Sequence, residues 1–511
     1  MSEEPSQNKP GDHRDTFMPR RLGIDTHQEP VVYLRADCPV CRSEGFAAHS
    51  RVEVRLGARR VTATLNVVRG DWLGNGEAGL SDAAWEMLQP CPGERADFAH
   101  PPSVDSMSYV RAKVYNQRLA ESQMSAIISD VTAGRLTDVE LAAFIASCAD
   151  GRLSREEISS LTRAMVNVGE RLTWPYPRIM DKHCVGGLAG NRTTMVVVPI
   201  AACMGLIIPK TSSRAITSPS GTADTMEVLA PVVLNIETLR SVVDREGGCI
   251  AWGGAMHLSP ADDILVRVER ALDLDSEGQL VASVLSKKVA AGATHVVLDL
   301  PLGPTAKVRS EHAAHALQRL LEQTAHAVGL KAKTLVTDGR QPVGRGIGPA
   351  LEARDVLAVL RNEPGAPQDL RSHSLDIATA LLELAEVAQG EAARALALSA
   401  LEDGRALAKM EAICEAQGGM REPHLADHTH DVGAEHAGRV TSIDNRLLSR
   451  VAKLAGAPHA KSAGLELLAR LDEKVSRGQP LFRVHAENRS DLDYALEFVQ
   501  RHTGIVHVER H

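Results

Sequence analysis

Between residues 181 and 224 three donor-rich turns follow one another, and their residue types have the makings of a single oxyanion site. The first is Asp181-Lys182-His183 beside Gly186-Gly187 and Gly190, followed by Asn191-Arg192-Thr193-Thr194 at the head of an apolar stretch. Glycine lets the backbone approach an anion closely, a helix N-terminus turns free amides toward it, Lys182 adds a positive charge and Thr194 a hydroxyl donor. The second is Lys210-Thr211-Ser212-Ser213-Arg214, a basic, hydroxyl-rich loop directly after the strand-like LIIP. The third is Ser218-Pro219-Ser220-Gly221-Thr222-Ala223-Asp224, where Gly221 and Thr222 again precede a helix. A lone Gly-rich turn is usually only a turn; three in succession are harder to dismiss. GxxxxGK[ST] does not occur, which excludes a P-loop, and Gly344-x-Gly346-x-Gly348 runs into Pro349, which argues against a dinucleotide fingerprint.

The elements that must position these turns can be read from hydrophobic periodicity. From Ile179 to about Asn362, apolar strand-like runs (LIIP, THVVLDLPL, KTLVTD) alternate with Ala-rich helical stretches, which predicts a mainly parallel sheet covered by helices. Loops at the carboxyl ends of such strands are where open α/β sheets hold ligands. Ahead of it, Ser108 to Arg171 shows helical spacing, with linkers at Gly134-Arg135-Leu136-Thr137 and Gly151-Arg152-Leu153-Ser154 that each end in an N-cap before an acidic first turn. Short alternating runs from Val31 to about Leu88 (RVEVRL, RVTATLNVVRG) predict a β-rich domain. A long Ala/Leu/Glu helical segment is expected from Ile377 to Ala416, and the chain then returns to short β-like runs ending in LFRVHA and GIVHVERH. The expected organisation is a disordered tail over 1–26, an N-terminal β-rich, barrel-like domain over 27–100 and a helical domain over 105–178. An α/β domain over 179–417 and a C-terminal α+β domain over 430–511 complete it.

Composition narrows the function classes. A chain of 511 residues exceeds one ordinary core, and 44% apolar with 3% aromatic residues means cores filled by Ala, Val, Leu and Ile. A formal charge of -8 gives no footprint for a polyanion, so nucleic acid is not an expected partner. The longest apolar run, Met195 to Pro209, contains Pro199 and Gly205 and is too short to cross a bilayer, so no membrane partner is expected either. The first residues lack the apolar stretch of a secretory signal, and eight scattered cysteines fit a reducing, cytoplasmic compartment. Cys38-Pro-Val-Cys41 has metal-knuckle spacing without a second pair at the right distance, and His424, His428, His430 and His436 read as a solvated linker, so no metal site is expected.

DKHxxGG, then an SxR loop, then GTxDxxE closely resembles the thymidine/pyrimidine-nucleoside phosphorylase family. GNRTTM, KTSSRAITSP and SGTADTMEVLA look most like its branch of archaeal AMP phosphorylases and their bacterial relatives. The resemblance reaches the C-terminal GRVTSIDNRLLSRVAKLAGAP and GLELLARLDEKVSRGQPLFRVHA, and it implies that about 260–290 joins the helical domain. By motif position it implies that Lys182, Thr194, Ser212 and Thr222 bind phosphate and that His183 lies beside the leaving base. It further implies substrate contacts from Gly187, from the run Ser213, Arg214, Ala215, Ile216, Thr217 and Ser218, and from Ser283, Lys287 and Lys307, with Asp275 as proton donor. Ser283 and Lys287 are four apart and share a helix face. Two departures stand out: Cys184, a weaker donor, stands where thymidine phosphorylases have a phosphate-contacting Ser, and the arginine that grips the pyrimidine falls near Val268, flanked by Arg267 and Arg270, which bears on the choice of base.

The implied reaction is phosphorolysis, with inorganic phosphate as co-substrate and no metal or organic cofactor. Thymidine phosphorolysis is the leading expectation, with AMP phosphorolysis to free base and ribose 1,5-bisphosphate as the alternative. The partners implied are a nucleoside or nucleoside monophosphate, phosphate and a second copy of the chain, as a homodimer or larger. Two readings of other classes compete with it: a Mg²⁺-dependent phosphoribosyltransferase, which needs an acidic pair that is not evident, and a non-catalytic nucleotide-binding scaffold.

Overall fold

The computed structural model describes residues 16–26, 29–43, 45–215, 218–256, 258–274 and 276–510. It resolves into two compact units, one of residues 1–111 with 129–141 and one of 112–128 with 142–511.

The first unit is built on a six-stranded sheet in the spatial order Met18–Arg21, Glu77–Leu80, Val31–Arg35, Arg59–Val68, Arg51–Leu56, Asp97–Ala99. Its alternating residues Val52, Val54, Ala63 and Leu65 point into one buried core with Leu34, Leu80 and Phe98. Phe17 and Ala96 exchange backbone hydrogen bonds of 2.8 Å, so the two edges of the sheet meet and curl it toward a barrel. Of the tail expected over 1–26, residues 1–15 lie outside the described residues, and the strand Met18–Arg21 is ordered: it pairs in parallel with Glu77–Leu80, anchored by Phe17, which packs edge-on to Phe98 at 5.4 Å. A four-residue strand of mostly exposed side chains carries no periodicity to read, and the buried aromatic beside it holds it in place.

In the second unit, the helix Arg155–Asn167 starts at a capping box between Ser154 and Glu157, as the linker sequence predicts. It packs against Glu277–Ala290, with Leu153 and Ile158 closing over Gly278. The sheet that follows is parallel. Lys331–Asp338, His295–Leu302 and Met180–Cys184 lie side by side, and an Ile179–Ile207 bridge continues the order to Ile208–Ser212 and Gly248–Trp252. The helix Thr193–Cys203 is apolar all round and packs against Gln368–Leu384 and Arg405–Gln417, which explains its burial on every face.

The helical segment expected from Ile377 to Ala416 is formed by three helices, Gln368–Leu384, Gly390–Glu402 and Arg405–Gln417. Left-handed residues at Glu386, Gly390 and Gly404 break it, with φ of 59°, 53° and 81°. The last part forms two antiparallel sheets with the helices Asn445–Leu454 and Arg489–Arg501. One of these sheets borrows Gly346–Ile347 from the α/β region as the partner of Gly464–Leu467.

Candidate active site

The carboxyl ends of two parallel strands, at Cys184 and Ser212, feed the three turns that sequence singles out, the second and third lying in succession after Ser212, and a third strand ends nearby at Leu302 ahead of Lys307. Side chains alternate along a strand, so Asp181 and Lys182 on Met180–Cys184 face opposite ways. Asp181 is buried between two ammonium groups, Lys210 at 3.0 Å and Lys288 at 2.8 Å. Burial works against its charge, but the two lysines outweigh it and hold the carboxyl below the usual range. Burial pushes Lys288 down to about 7, against the pull of Asp181 and with the repulsion of Lys210 added.

Lys182 is 1% exposed, and its Nζ donates to Thr193 Oγ1 at 2.6 Å and lies 4.0 Å from Asp299 Oδ2. Burial draws its pKa below the ordinary lysine value while Asp299 opposes that shift. Asp299, wholly buried in an apolar strand, accepts from Thr337 at 2.6 Å, His373 at 3.2 Å and Asn191 at 3.3 Å. Desolvation raises its pKa, yet the His373 bond and the charge of Lys182 prevail and keep it ionised. Thr193 Oγ1 donates a hydrogen bond to Asn191 Oδ1 at 3.1 Å, so the ammonium heads a continuous polar chain. Cys184 receives Asn191 Nδ2 at 3.3 Å, and burial raises its thiol to about 12, leaving it neutral.

His183 is held well below 6.5, first by burial and then by the charges of Lys288, Lys210, Lys287 and Lys182. Its imidazole is neutral at physiological pH and keeps one N–H to donate.

The glycine loop is shaped by left-handed residues: Gly186, Gly187 and Gly190 have φ of 94°, 80° and 71°. Gly187 lies so close to Lys307 that an added Cβ would sit 2.3 Å from the Lys307 amide nitrogen. The hydroxyl turn abuts the second loop in the same manner, with Gly221 against Ser213 O and Ala215 N. Asp224 ties that contact together, accepting from Ala215 N at 2.7 Å and Gly221 N at 3.0 Å. The guanidinium of Arg214 is spent on Asp224 and Glu227 and lies 4.9 Å over the Trp252 ring, so Arg214 shapes the loop. Lys461, from the C-terminal part, also pairs with Glu227 at 2.9 Å. Neither helix that starts here, Thr193–Cys203 or Thr222–Leu229, has a side-chain hydrogen bond from its N-cap residue, Arg192 or Gly221. First-turn amides in that position favour an anion.

Ser283 and Lys287 share a face of Glu277–Ala290, with Lys287 Nζ donating to Ser283 Oγ at 3.1 Å and to Asp262 Oδ2 at 2.7 Å. Asp275, Ile216 and Thr217 lie outside the described residues. Sequence reasoning missed Asp299, His373, Glu352 and Asp262. For Asp299 a signal was there: an acid inside the run THVVLDLPL must find partners once the strand is buried. Another missed contact is Arg192, whose Nε is 2.7 Å from Glu352 Oε2 while Nη1 donates to Thr222 Oγ1 at 3.1 Å. Burial raises Glu352 to about 7 against the pull of Arg192.

The helices and the parallel sheet, with glycine- and hydroxyl-rich turns at the sheet's carboxyl edge, are those of a glycosyl transferase by family. The glycosyl transferase family models match here, the helical bundle domain over 107–169 and the a/b domain over 176–407. The pyrimidine nucleoside phosphorylase C-terminal domain matches over 439–506. "Putative thymidine phosphorylase 2" of Acidovorax sp. is 59% identical over 488 residues, covering 96% of this chain and 95% of that one. "Putative thymidine phosphorylase" of Legionella pneumophila (strain Paris) is 55% identical over 487 residues, covering 95% and 94%. The chain therefore belongs to the thymidine/pyrimidine-nucleoside phosphorylase family. In fold alone it is similar to anthranilate phosphoribosyltransferase from Thermus thermophilus, at 18% identity and a TM-score of 0.50 over 60% of this chain and 98% of that one.

Proposed function

We propose that the protein is a thymidine phosphorylase-type pentosyltransferase that converts thymidine and phosphate to thymine and 2-deoxy-α-D-ribose 1-phosphate. The observation that carries this reading is the convergence on one sheet edge of Lys182, a glycine loop and two helix N-termini. Phosphate sits against Lys182, Thr194, Ser212 and Thr222. A phosphate oxygen forms the new bond to C1' as the C1'–N bond breaks and its electrons leave with the base. Positive charge developing on the sugar ring is offset by the adjacent phosphate dianion. The departing base takes a proton from Asp275 or from the neutral His183, whose N–H can donate without prior protonation. Ser283, Lys287 and Lys307, with Gly187 and the loop 213–218, surround the nucleoside. No metal or organic cofactor takes part, and phosphate is the co-substrate.

A second reading, phosphorolysis of a nucleoside 5'-monophosphate such as AMP, is favoured by the pairing of Lys287 with Asp262. That carboxylate satisfies the lysine which in the thymidine enzymes contacts the base, and Val268 stands near where those enzymes carry an arginine. All eight cysteines are free, in keeping with a cytoplasmic enzyme. Among the described residues no helix is long and apolar enough to cross a membrane. We expect a homodimer or larger assembly.

Incubation with phosphate and a panel of nucleosides and monophosphates, with chromatography of the released base, tests the proposal. Thymine from thymidine supports the leading reading. Adenine from AMP without thymine from thymidine replaces it with the second, and base release in neither case removes both.

A further inference from the structure

We propose that Arg192 is a positioning residue for the phosphate site, fixing the Thr222 hydroxyl as a hydrogen-bond donor to the anion while Glu352 fixes Arg192. The inference rests on the reading of Thr222 as an oxyanion ligand.

One guanidinium joins two loops that lie far apart in sequence. Arg192 Nε donates to Gly190 O at 2.8 Å in the glycine loop. Nη1 donates to Thr222 Oγ1 at 3.1 Å and Nη2 to Ser220 O at 3.3 Å, both in the hydroxyl turn. A hydroxyl carries one proton and two lone pairs. With a guanidinium N–H on one lone pair, the Thr222 proton must turn away from Arg192, which presents Thr222 as a donor and leaves no competing donor role within the turn. An anion needs a donor there, and without Arg192 the hydroxyl would be free to rotate and offer a lone pair.

Glu352 makes the arrangement rigid. It is 2% exposed, lies on the helix Pro349–Leu360, and accepts from Thr225 Oγ1 at 2.8 Å and Gly348 N at 3.2 Å. Thr225 in turn shares a hydrogen bond of 2.7 Å with Ser220. The carboxylate is thus anchored to the same hydroxyl turn that Arg192 reaches, and the planar fork of an arginine suits three acceptors at once. A lysine, with one nitrogen on a flexible stem, cannot keep all three.

The test compares Arg192→Lys, Glu352→Gln, Thr222→Ser, Thr222→Val and the double variant Arg192→Lys/Thr222→Val with the parent enzyme. Steady-state kinetics are run with phosphate and nucleoside varied in turn, and calorimetric titration with inorganic phosphate is run in parallel. Arg192→Lys is expected to raise the KM for phosphate by about 10- to 100-fold, with the nucleoside KM and the kcat at saturating phosphate nearly unchanged. Glu352→Gln should move the same parameter in the same direction. Thr222→Ser should retain phosphate affinity, and the double variant should be no weaker for phosphate than Thr222→Val alone, because Arg192 acts through that hydroxyl. An unchanged phosphate KM in Arg192→Lys, or fully multiplicative losses in the double variant, overturns the inference. So does an equal rise in both KM values accompanied by a lowered Tm, which marks Arg192 as a structural tether only. A parent enzyme that binds phosphate without releasing base overturns the proposed reaction instead, and the calorimetric affinities then decide the role of Arg192.

Discussion

Lys287 Nζ lies 2.7 Å from Asp262 Oδ2, so the ammonium that family resemblance directs at the nucleobase is already paired with a carboxylate from the helix Pro260–Leu272. A carboxylate accepts hydrogen bonds and cannot donate them, so under the second reading, with Asp262 facing the base, an exocyclic amine would fit beside it better than a carbonyl would. Asp262→Asn is expected to lower turnover of cytosine- and adenine-bearing substrates relative to uracil- and thymine-bearing ones by about tenfold. Competition assays with paired substrates measure the ratio, and a ratio equal to that of the parent refutes the assignment.

Lys182 supplies a formal positive charge at the glycine loop that the polar chain through Thr193 and Asn191 holds in place. Lys182→Ala is expected to lower phosphate-dependent base release by about 100-fold or more, with far-UV circular dichroism still native at room temperature. Retained activity in a folded variant would remove Lys182 from the mechanism.

Gly186 and Gly187 are both left-handed, but of the two it is Gly187 that faces backbone, that of Lys307. Gly186→Ala should cost about 1–2 kcal/mol of backbone strain and little activity. Gly187→Ala should cost that and also push the loop from Lys307, lowering kcat/KM far more than its neighbour does. Equal kinetic effects in the two variants would show that the close approach has no functional weight.

Glu227 is held at about 2 by its hydrogen bond to Arg214 and by Lys461, despite some desolvation. Its folded pKa lies below the ordinary value of 4.5, so its stabilisation is complete above 4.5 and is lost as pH falls toward 2. Glu227→Gln should therefore be less stable than the parent at neutral pH and show a flatter Tm profile between those two values. Parallel Tm profiles for parent and variant would contradict this.

Lys113 and Glu157 form an ion pair of 2.7 Å at 1% and 2% side-chain exposure. Glu157 also accepts from Leu119 N at 2.9 Å and Ser154 N at 2.8 Å. Lys113→Ala leaves that carboxylate buried without its counter-charge, and urea unfolding should show a loss of about 3–5 kcal/mol. A loss under about 1 kcal/mol would mean that water or a rearranged side chain replaces the lysine.

Much of this site is legible in sequence because its loops are short, local and rich in glycine and hydroxyls. The helix after Arg192, the strand before Ser212 and the turn at Gly221 each announce themselves by type and spacing. The buried supports do not. Asp299 meets His373 and Thr337, and Glu352 meets Arg192, only because distant segments converge, and no local period encodes that. The same limit applies to the breaks within the helical segment expected from Ile377 to Ala416: left-handed φ at Glu386 is a tertiary outcome at a residue that ordinarily favours helix. The strand Met18–Arg21 is invisible for the opposite reason, since its own residues bury almost nothing.

The contacts of Lys461 with Glu227, and of Gly464–Leu467 with Gly346–Ile347, make the C-terminal part an organ of the α/β region and not an appendage. Anyone trimming the gene to a minimal catalytic fragment ending before the last domain would strip Glu227, beside the turn that carries Thr222, of its Lys461 partner and Gly346–Ile347 of its strand partner. Homologues lacking that extension would have to brace the turn by some other means.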